Sequence, residues 1–493
     1  MKQLHPLMLA GTGSDVGKSI LAAAFCRIFK QDGYHPAPFK AQNMALNSFA
    51  TPEGLEIGRA QAVQAEAAGV PCHTDMNPLL LKPTSDCVAQ VVLHGKPAGN
   101  SSAYEYFRGE GRAVLRAEVN AAYDRLAKRY NPIVLEGAGS ISEINLRESD
   151  LVNLPMAKHA GADVILVADI ERGGVFASVY GSLQLLQPDE RKLIKGILIN
   201  KFRGDLRLFQ PGVKMMEELC GIPVLGVVPY YHHIYIEEED SVMLASKNRQ
   251  AEHGKVNVAV VLLRHLSNFT DFNALERDAR VHLFYTNNTE ELGKADIILV
   301  PGTKNTLSDL CELRRNGVAQ AIINAHRQGT TVMGICGGYQ LMGQEICDPD
   351  HVEGELERLP GLGLLPVSTR MQAEKLTRQV QFCFRGAGES FCQGYEIHNG
   401  VTTPVEGMPA SPLNRFTDGG TDGYWADSTC LGTYIHGILD NPAVIDTLLQ
   451  PFAGRAAEPA VDYAAFKEEQ YDKLAAHVRQ YVNLPLVYQL LTR

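Results

Sequence analysis

A cysteine and a histidine, each at the end of an apolar strand, are the residues of this chain best suited to covalent chemistry. Cys336 follows the run TVMGI and precedes GG, which is the pattern of a strand turning sharply into a helix. At such a turn the thiol is presented, the helix N-terminus stabilises a thiolate, and the Gly337 amide faces a developing oxyanion. About a hundred residues later, His436 ends a second strand and is placed to act as a base. The pair predicts acyl-thioester chemistry, although an isolated cysteine is more often a buried structural residue.

A second candidate site lies near the amino terminus, where an apolar strand runs into a glycine-rich loop and then a helix. The loop reads GTGSDVGKS over residues 11–19. Backbone amides of such a loop bind phosphate oxygens, Lys18 reaches the terminal phosphates, and Ser19 binds Mg²⁺. Five residues separate Gly11 from Gly17, one more than in the common form, so Thr12 takes the first-glycine position. We predict ATP binding by Gly11, Thr12, Gly13, Val16, Gly17, Lys18 and Ser19.

Two further apolar strands end in polar residues that fit a ligand site. The segment YHPAPF leads to Lys40, Gln42 and Asn43, and NPIVL leads to Glu136. Open α/β sheets bind ligands at the carboxyl ends of their strands, so these side chains are candidates for phosphate and carboxylate contacts. Glu136 together with Ser19 predicts a Mg²⁺ site. The alternatives are a solvated loop for the first set and a structural strand-end acid for Glu136.

The composition is that of an ordinary globular protein and excludes several classes of function. With 493 residues, 45% of them hydrophobic and 21% charged, the chain predicts two or three domains. A net charge of −10 argues against a general nucleic-acid-binding surface. No apolar run approaches the roughly 20 residues of a membrane span, and no signal peptide is apparent, so we expect a cytoplasmic protein without membrane contact. Ten cysteines without a CxxC spacing indicate neither a disulfide framework nor a zinc cluster.

Sequence strings spread over nearly the whole chain resemble those of one family of enzymes. The strings PGTKNT, GICGGYQLMG and GTYIHG resemble class I (triad) glutamine amidotransferases. The strings FKAQNM, NPLLLKP, EGAGS, ADIERGGVF, NKFRGD and GYEIH resemble the cobyric acid synthase branch of that class. The loop GTGSDVGKS is similar to the P-loop of dethiobiotin synthetases. The resemblance extends from Gly11 to Gly437.

The resemblance implies roles for residues that the pattern alone leaves open. In class I amidotransferases the loop equivalent to PGTKNT supplies a second oxyanion donor, which here is the amide of Gly302 or Thr303. Asn200, in NKFRGD, corresponds to a loop beside the purine of the nucleotide. His398, in GYEIH, either contacts the bound glutamine or satisfies a strand end. The resemblance further implies that a polycarboxylate substrate is bound by Lys40, Gln42, Asn43 and Lys82.

The acid of the catalytic triad is the point where this sequence departs from the wider class. Most triad amidotransferases have a glutamate two residues after the histidine, and here that position is Ile438. The orienting acid is therefore absent or comes from elsewhere, with Glu396 and Asp440 as candidates. A dyad of Cys336 and His436 is the interpretation that the sequence supports, and it favours activation of the glutaminase by the other domain.

Alternation of strands and helical patterns predicts an α/β fold in both halves. We expect residues 1–230 to form a P-loop ATP-binding amide synthetase domain with a doubly wound parallel sheet. A polar segment at 231–255 is the predicted linker to a flavodoxin-like class I amidotransferase domain at 256–445. Ser101 to Arg129 predicts one amphipathic helix, and residues 446–493 predict a helical extension packed against the second domain.

For cobyric acid synthases, the resemblance implies ATP- and glutamine-dependent amidation, with Mg²⁺, of the b, d, e and g carboxylates of adenosylcobyrinic acid a,c-diamide to give adenosylcobyric acid. ATP activates each carboxylate as an acyl phosphate, and Cys336 releases ammonia from glutamine. The implied partners are small molecules: a corrinoid polycarboxylate, L-glutamine and ATP. Three alternatives stay open: cobyrinic acid a,c-diamide synthase, a regulatory P-loop ATPase with an inert amidotransferase-like domain, and a dethiobiotin-type carboxylase. The sequence leaves the oligomeric state open.

Overall fold

The computed structural model describes residues 3–83, 88–102, 111–237, 247–388, 390–455 and 460–492. In these ranges the chain forms two α/β units, one on each side of the predicted linker, and each is centred on a six-stranded sheet. The acidic residues 238–240 of the predicted linker lie outside the described residues. None of the described helices is both long enough and apolar enough to traverse a lipid bilayer.

The first unit is organised around a parallel sheet that fixes the position of the glycine-rich loop. Every pairing along this sheet is parallel. From one edge to the other its strands are Val224–Pro229, Ile194–Phe202, Asp163–Asp169, Leu7–Gly11, Ile133–Glu136 and Ala37–Phe39. Because Leu7–Gly11 is an interior strand, the loop that follows it opens at the carboxyl edge of the sheet, where such folds bind ligands.

The strands of this sheet are continuously apolar because helices cover both faces. Leu7–Gly11 and Ile133–Glu136 are buried at every residue. The helices of the unit are Lys18–Gln31, Arg59–Ala68, Arg112–Ala127, Leu154–Ala160, Val175–Leu185, Pro188–Arg191 and Leu206–Cys220, with single turns at Thr74–Met76 and Ile144–Ser149. The architecture confirms the predicted α/β class with a parallel sheet.

Two small sheets supplement the predicted parallel sheet. One consists of Gln42–Met44, Leu79–Pro83, Val88–Leu93 and Lys96–Ser102, and the other consists of Ser48–Ala50 and Glu56–Gly58. Ser101 therefore lies in a strand, and the predicted helix from Ser101 is wrong at its start; residues 103–110 lie outside the described residues. The hairpin turn before this strand has His94 and Gly95 at φ 48° and 77°. Positive φ at both central residues matches the twist of a tight hairpin.

The second unit has a parallel sheet with one antiparallel edge pair. Its strands in spatial order are Val281–Thr286, Val256–Val261, Ile297–Val300, Thr331–Ile335, Cys430–Thr433 and Tyr424–Asp427, the last two being antiparallel. Its helices are Asn273–Arg277, Thr289–Leu292, Thr306–Arg315, Val318–Arg327, Gly337–Met342 and Pro442–Leu449, with single turns at Phe269–Phe272, Ile438–Asp440 and Gln450–Phe452. Cys336 directly follows the interior strand Thr331–Ile335.

Another sheet of this unit is built on the long antiparallel strands Val367–Phe384 and Phe391–Pro404. Its remaining strands are Arg358–Pro360, Glu345–Cys347, Asn414–Phe416, Thr421–Asp422 and Ile435–His436. In this sheet Tyr395 pairs with His436. The parallel sheet thus positions Cys336, while the antiparallel sheet positions His436.

The helices Tyr463–Tyr481 and Leu484–Leu491 return to the first unit, so the prediction that the tail packs against the second domain is wrong for most of its length. The buried apolar residues from Tyr471 onward belong to the core of the first unit, whereas Tyr463 is buried in the second core. The edge strand Val224–Pro229 explains this placement, because an uncovered sheet edge exposes unpaired backbone groups. The Asn483 amide donates to the Leu225 carbonyl oxygen at 2.7 Å.

Candidate functional site

Cys336 lies in a strained turn at the carboxyl end of its strand. Its backbone angles are φ 53° and ψ −111°, which a side-chain-bearing residue adopts only when its surroundings hold it there. The helix Gly337–Met342 begins directly after it, as in nucleophile turns. Cys336 is 8% exposed and lines a cavity of about 50 Å³ together with His436. The two residues predicted to carry covalent chemistry are therefore brought to one small cavity.

Asp271 is the acid that bonds His436, and the sequence pattern did not predict it as a site residue. The Nδ1 atom of His436 lies 2.7 Å from Oδ2 of Asp271, and the Gly437 amide donates to Oδ1 at 3.0 Å. The side chains of Asp271 and His436 are each 1% exposed. Asp271 lies in the single turn Phe269–Phe272 that follows the first strand of the unit. The available signal was an aspartate between two phenylalanines in the string NFTDF, shortly after an apolar strand.

The two acids that the sequence suggested for this task lie elsewhere. The Oε2 atom of Glu396 accepts from Nε of Arg378, and burial raises the pKa of Glu396 to about 7. Burial raises the pKa of Asp440 to about 8. Neither contacts His436 among the described hydrogen bonds, so both suggestions are wrong. Asp271 thus adds a carboxylate partner to His436, which the predicted dyad of Cys336 and His436 lacked.

The electrostatics of the triad favour a protonated His436. Burial alone lowers the pKa of this imidazole, but the Asp271 carboxylate and Cys336 raise it to about 10. The ring of Tyr395 stacks on His436 with the ring centroids 5.3 Å apart. An imidazolium so placed stabilises a thiolate and is ready to protonate a leaving amine.

Asp271→Asn should lower the rate of glutamine hydrolysis by about a thousandfold to ten-thousandfold, because an amide neither fixes the imidazole tautomer nor stabilises imidazolium. Asp271 raises the pKa of His436, so its loss lowers that pKa. The limb of the pH–rate profile that reports His436 should therefore move to lower pH. Initial rates of glutamate release between pH 5 and 10 measure both effects. An unchanged profile would contradict the assignment of Asp271.

The backbone at Thr303 approaches the backbone at Gly337, the residue that follows Cys336. A Cβ atom on Gly337 would lie 2.9 Å from the Thr303 amide nitrogen, so these two backbone segments are in close contact. Among the described hydrogen bonds, neither amide has a backbone acceptor. Gly302 lies beside the triad, since a Cβ atom on it would be 3.3 Å from Cε1 of His436. The predicted pair of donors is therefore Gly337 and Thr303, with Gly302 as a close backbone neighbour.

His398 lines the same cavity and stacks on Tyr434, with the ring centroids 3.7 Å apart. Its Nδ1–H donates to the Gly400 carbonyl oxygen at 2.8 Å, and its Nε2 atom is buried without a hydrogen-bond partner among the described residues, 3.9 Å from Oε1 of Glu396. Burial lowers the pKa of His398 to about 4. His398 is therefore a neutral side chain with one ring nitrogen available at the cavity.

In the first unit, the Lys18 side chain lies against carbonyl groups of the glycine-rich loop and of Gly139. The Lys18 Nζ atom donates to the carbonyl oxygens of Gly13, Ser14 and Gly139 at 2.8, 3.1 and 2.9 Å. Burial lowers the pKa of Lys18 to about 8, although Glu136 opposes this shift. The three acceptors of this ammonium group are uncharged carbonyl oxygens, and a phosphate group bound by the loop would supply a negatively charged partner.

Asn200 closes the other side of the loop. Its Nδ2 atom donates to the Val16 carbonyl oxygen at 2.9 Å, while its Oδ1 atom is buried without a partner among the described residues. Gly17 has φ 94°, and a Cβ atom there would lie 2.3 Å from Nδ2 of Asn200. The position next to Asn200 thus requires glycine. The free acceptor on Asn200 suits a donor such as an exocyclic amino group.

Glu136 is the centre of a buried polar cluster beside the loop. Its Oε1 atom accepts from Ser19 Oγ at 2.7 Å and from Lys40 Nζ at 2.9 Å, and its Oε2 atom accepts from Gln64 Nε2 at 2.7 Å. Burial raises the pKa of Glu136, but Lys40 and these donors bring the pKa below its usual value. The carboxylate and the Ser19 hydroxyl provide two oxygen atoms next to the phosphate loop.

A cavity of about 950 Å³ extends from the loop across the first unit. The predicted residues Lys18, Ser19, Lys40, Gln42, Asn43 and Glu136 all line it. Further basic residues in its wall are Arg112, Arg147, Arg172 and Lys201. Leu266 and Phe269 of the second unit complete the wall. Lys82 does not belong to the described lining of this cavity; it lines the Cys336 cavity instead.

Reciprocal hydrogen bonds join the walls of the two cavities. The Ser48 amide donates to Oδ1 of Asn268 at 2.9 Å, and the Phe269 amide donates to Oδ1 of Asn47 at 3.2 Å. Asn47 and Phe269 line the large cavity, whereas Asn268 lines the small one. Consecutive residues of one segment therefore face different cavities. The same segment carries Asp271, so the first unit is bonded directly to the turn that orients His436.

Comparison with known proteins agrees with this arrangement. The model of the CobQ/CobB/MinD/ParA nucleotide binding domain matches residues 7–242, and that of the CobB/CobQ-like glutamine amidotransferase domain matches residues 257–444. The chain is a glutamine amidotransferase in which the amidotransferase domain follows a nucleotide-binding domain.

Relatives that match over nearly their whole length identify the branch of glutamine amidotransferases to which this chain belongs. A cobyric acid synthase of Bacteroides fragilis is 79% identical over 491 residues, covering 100% of this chain and 99% of the relative. One from Phocaeicola vulgatus is 72% identical with the same coverage. One from Syntrophobacter fumaroxidans is 48% identical over 99% of this chain and 98% of the relative. The chain belongs to the cobyric acid synthase family.

Proposed function

We propose that this enzyme amidates the b, d, e and g carboxylates of adenosylcobyrinic acid a,c-diamide, using glutamine as nitrogen donor and ATP as energy source. The observation that carries the proposal is the shared wall between a phosphate-loop cavity and a Cys–His–Asp cavity, on a chain 79% identical to a cobyric acid synthase. Residues 1–230 act as the synthetase unit and residues 256–445 as the glutaminase unit.

In the glutaminase unit, Cys336 attacks the side-chain amide of glutamine. His436 takes the thiol proton and returns it to the departing ammonia, and Asp271 keeps the imidazole in the productive tautomer. The amides of Gly337 and Thr303 stabilise the oxyanion of the tetrahedral intermediate. Water then hydrolyses the glutamyl thioester with His436 as base. The products are glutamate and ammonia, and the ammonia must reach the other cavity.

In the synthetase unit, the loop from Gly11 to Ser19 binds the phosphates of ATP, and Lys18 neutralises the charge on the phosphoryl group that is transferred. Asn200 contacts the purine through its free Oδ1 atom. ATP converts a substrate carboxylate into an acyl phosphate, which ammonia then attacks with loss of phosphate. This activation is required because a carboxylate oxygen is a poor leaving group for an amine to displace.

Ser19 and Glu136 fit a Mg²⁺ ion, because this ion uses one or two protein oxygen atoms together with phosphates and water. Their oxygens are 2.7 Å apart beside the phosphate loop, although Lys40 also bonds Glu136. We propose that these two residues hold Mg²⁺ with the nucleotide. When bound, the ion neutralises phosphate charge.

The large cavity suits a polycarboxylate substrate in a chain that is acidic overall. Its wall combines Lys40 with several arginines, which bind carboxylates through paired N–H donors. Gln42 and Asn43 add neutral hydrogen-bonding groups. We propose that these residues recognise the corrinoid carboxylates. Lys82 has no part in this recognition, because it lines the other cavity.

A mass-spectrometric assay tests the function directly. Adenosylcobyrinic acid a,c-diamide and, separately, cobyrinic acid are incubated with the enzyme, glutamine, ATP and Mg²⁺, and the corrinoid is followed by mass. We expect stepwise conversion of carboxylic acids to amides that ends at four new amides. A reaction that acts on cobyrinic acid and stops after two amides would refute the proposal in favour of the a,c-diamide synthase. ATP hydrolysis without any amide would contradict both assignments.

A further inference from the structure

The cavity beside Cys336 carries an excess of positive charge contributed by both units, and two of its three lysine side chains are buried. Lys82 of the first unit and Lys304 and Lys375 of the second unit line it, with Glu353 as the carboxylate among its described lining residues. The catalytic mechanism above uses none of these four side chains. Buried charges are costly unless they are paired, so such a cluster needs an explanation.

Glu56 of the first unit connects two of the lysines. Its Oε1 atom accepts from Lys82 Nζ at 2.6 Å, and its Oε2 atom accepts from Lys375 Nζ. The Glu56 side chain is 0% exposed, and both lysine side chains are 5% exposed. Two buried ammonium groups therefore share one carboxylate. The third, Lys304, donates to the neutral amide oxygen of Gln90 at 2.9 Å.

The pKa values report the same imbalance. Burial, reinforced by Lys375 and Lys82, lowers the pKa of Lys304 to about 7. Burial also lowers the pKa of Lys375 to about 8, although Glu56 opposes this shift. Burial raises the pKa of Glu353 to about 7, so Glu353 supplies less than a full negative charge near neutral pH. One additional carboxylate would stabilise the charged form of both lysines.

Glutamine brings such a carboxylate to this place. When its side-chain amide lies against the thiol of Cys336, its α-carboxylate lies on the order of 5 Å farther along the molecule. Lys375 is close enough to Cys336 for the thiolate charge to raise the lysine pKa. The cavity volume of about 50 Å³ is below that of typical small-molecule sites, so side chains must move when glutamine enters. Lysine side chains have the flexible four-carbon stems that permit this movement.

We propose that Lys304 and Lys375 bind the α-carboxylate of glutamine and that Glu353 binds its α-ammonium group. The inference rests on the proposed glutaminase function and adds the groups that recognise the substrate. When glutamine enters, Lys375 exchanges Glu56 for the substrate carboxylate, and Glu56 remains paired with Lys82. The cavity thus selects free glutamine over glutamine that is linked through its α-groups.

Lys375→Met is the first test. Hydrolysis of the side-chain amide is measured with two substrates, glutamine and glutamine α-amide. We expect the KM for glutamine to rise about 10- to 100-fold, because a charge-assisted hydrogen bond is lost. The KM for the α-amide, which lacks the negative charge, should change by less than about threefold. Lys304→Met should behave similarly, and Lys375→Arg should recover part of the affinity. Glu353→Gln should instead reduce discrimination against N-acetylglutamine.

Lys294→Met is the matched control, because Lys294 is 56% exposed and pairs with Glu291 away from the cavity. Its KM for glutamine should equal that of the wild type. Equal increases in KM for glutamine and its α-amide in both lysine variants would overturn the inference, as would unchanged KM values. Absence of glutamate release by the wild type would instead refute the proposed glutaminase function. The two failures are therefore distinguishable.

Discussion

Cys336→Ala should abolish glutamine-dependent amidation while leaving ammonia-dependent amidation intact. Removal of a catalytic nucleophile costs about a millionfold in comparable enzymes, because the covalent intermediate no longer forms. The synthetase cavity is lined by other residues and still accepts ammonia from solution. Amide formation is measured with glutamine and, separately, with ammonium chloride at alkaline pH, where free ammonia is abundant.

Cys311→Ala is the matched control for this substitution, because Cys311 is exposed on the helix Thr306–Arg315 of the same unit. It should keep both activities. If Cys336→Ala lost the ammonia-dependent reaction while circular dichroism and thermal unfolding showed an intact fold, the separation of roles between the two cavities would be wrong.

Lys18→Ala should abolish amidation with either nitrogen source. Lys18 is 4% exposed and its ammonium group lies within the phosphate loop, so its loss removes the charge that stabilises the transferred phosphoryl group. We expect at least a hundredfold decrease, on the order expected for one lost transition-state contact. Corrinoid amidation and phosphate release, both measured with ammonium chloride, report the effect.

Lys128→Ala supplies the comparison for Lys18→Ala, because Lys128 is an exposed lysine just after the helix Arg112–Ala127 of the same unit. It should match the wild type. Glutamate release by Lys18→Ala should persist at a measurable rate, since the Cys336 cavity contains no part of the phosphate loop. Full ammonia-dependent activity in Lys18→Ala would contradict the assignment of the loop to ATP.

The features predicted from sequence are those that short segments determine. A strand, a glycine-rich loop and a helix in succession specify where Lys18 and Ser19 lie. Glu136 ends the neighbouring strand Ile133–Glu136, so it lies at the same carboxyl edge of the sheet. The turn at Cys336 is likewise local, because its strand, its glycines and its helix are consecutive. The parallel sheets follow from the alternation of elements, which forces strands to pair through helical crossovers.

Residues whose roles depend on distant contacts were the ones the sequence could not assign. Asp271 and His436 are 165 positions apart, and they meet only because the folded chain brings the turn Phe269–Phe272 against the strand Ile435–His436. Lys82 ends a strand like the ligand-binding strands, but its small sheet turns it toward Glu56 and the second unit. Apolar periodicity predicts a buried face on the last helices without indicating which core receives it.

The helix Tyr463–Tyr481 places its first residue in one hydrophobic core and its later residues in the other. Tyr463 also bonds to Glu237 of the linker, and Lys467 bonds to Glu66 of the first unit. An α-helix is stiff over this length, so it acts as a rigid brace between the halves of the enzyme. A large hinge motion between the two units would remove one end of this helix from the hydrophobic core in which it is buried. We therefore expect substrates to enter by local rearrangement of side chains and loops, while the distance between the Cys336 cavity and the phosphate-loop cavity stays nearly constant.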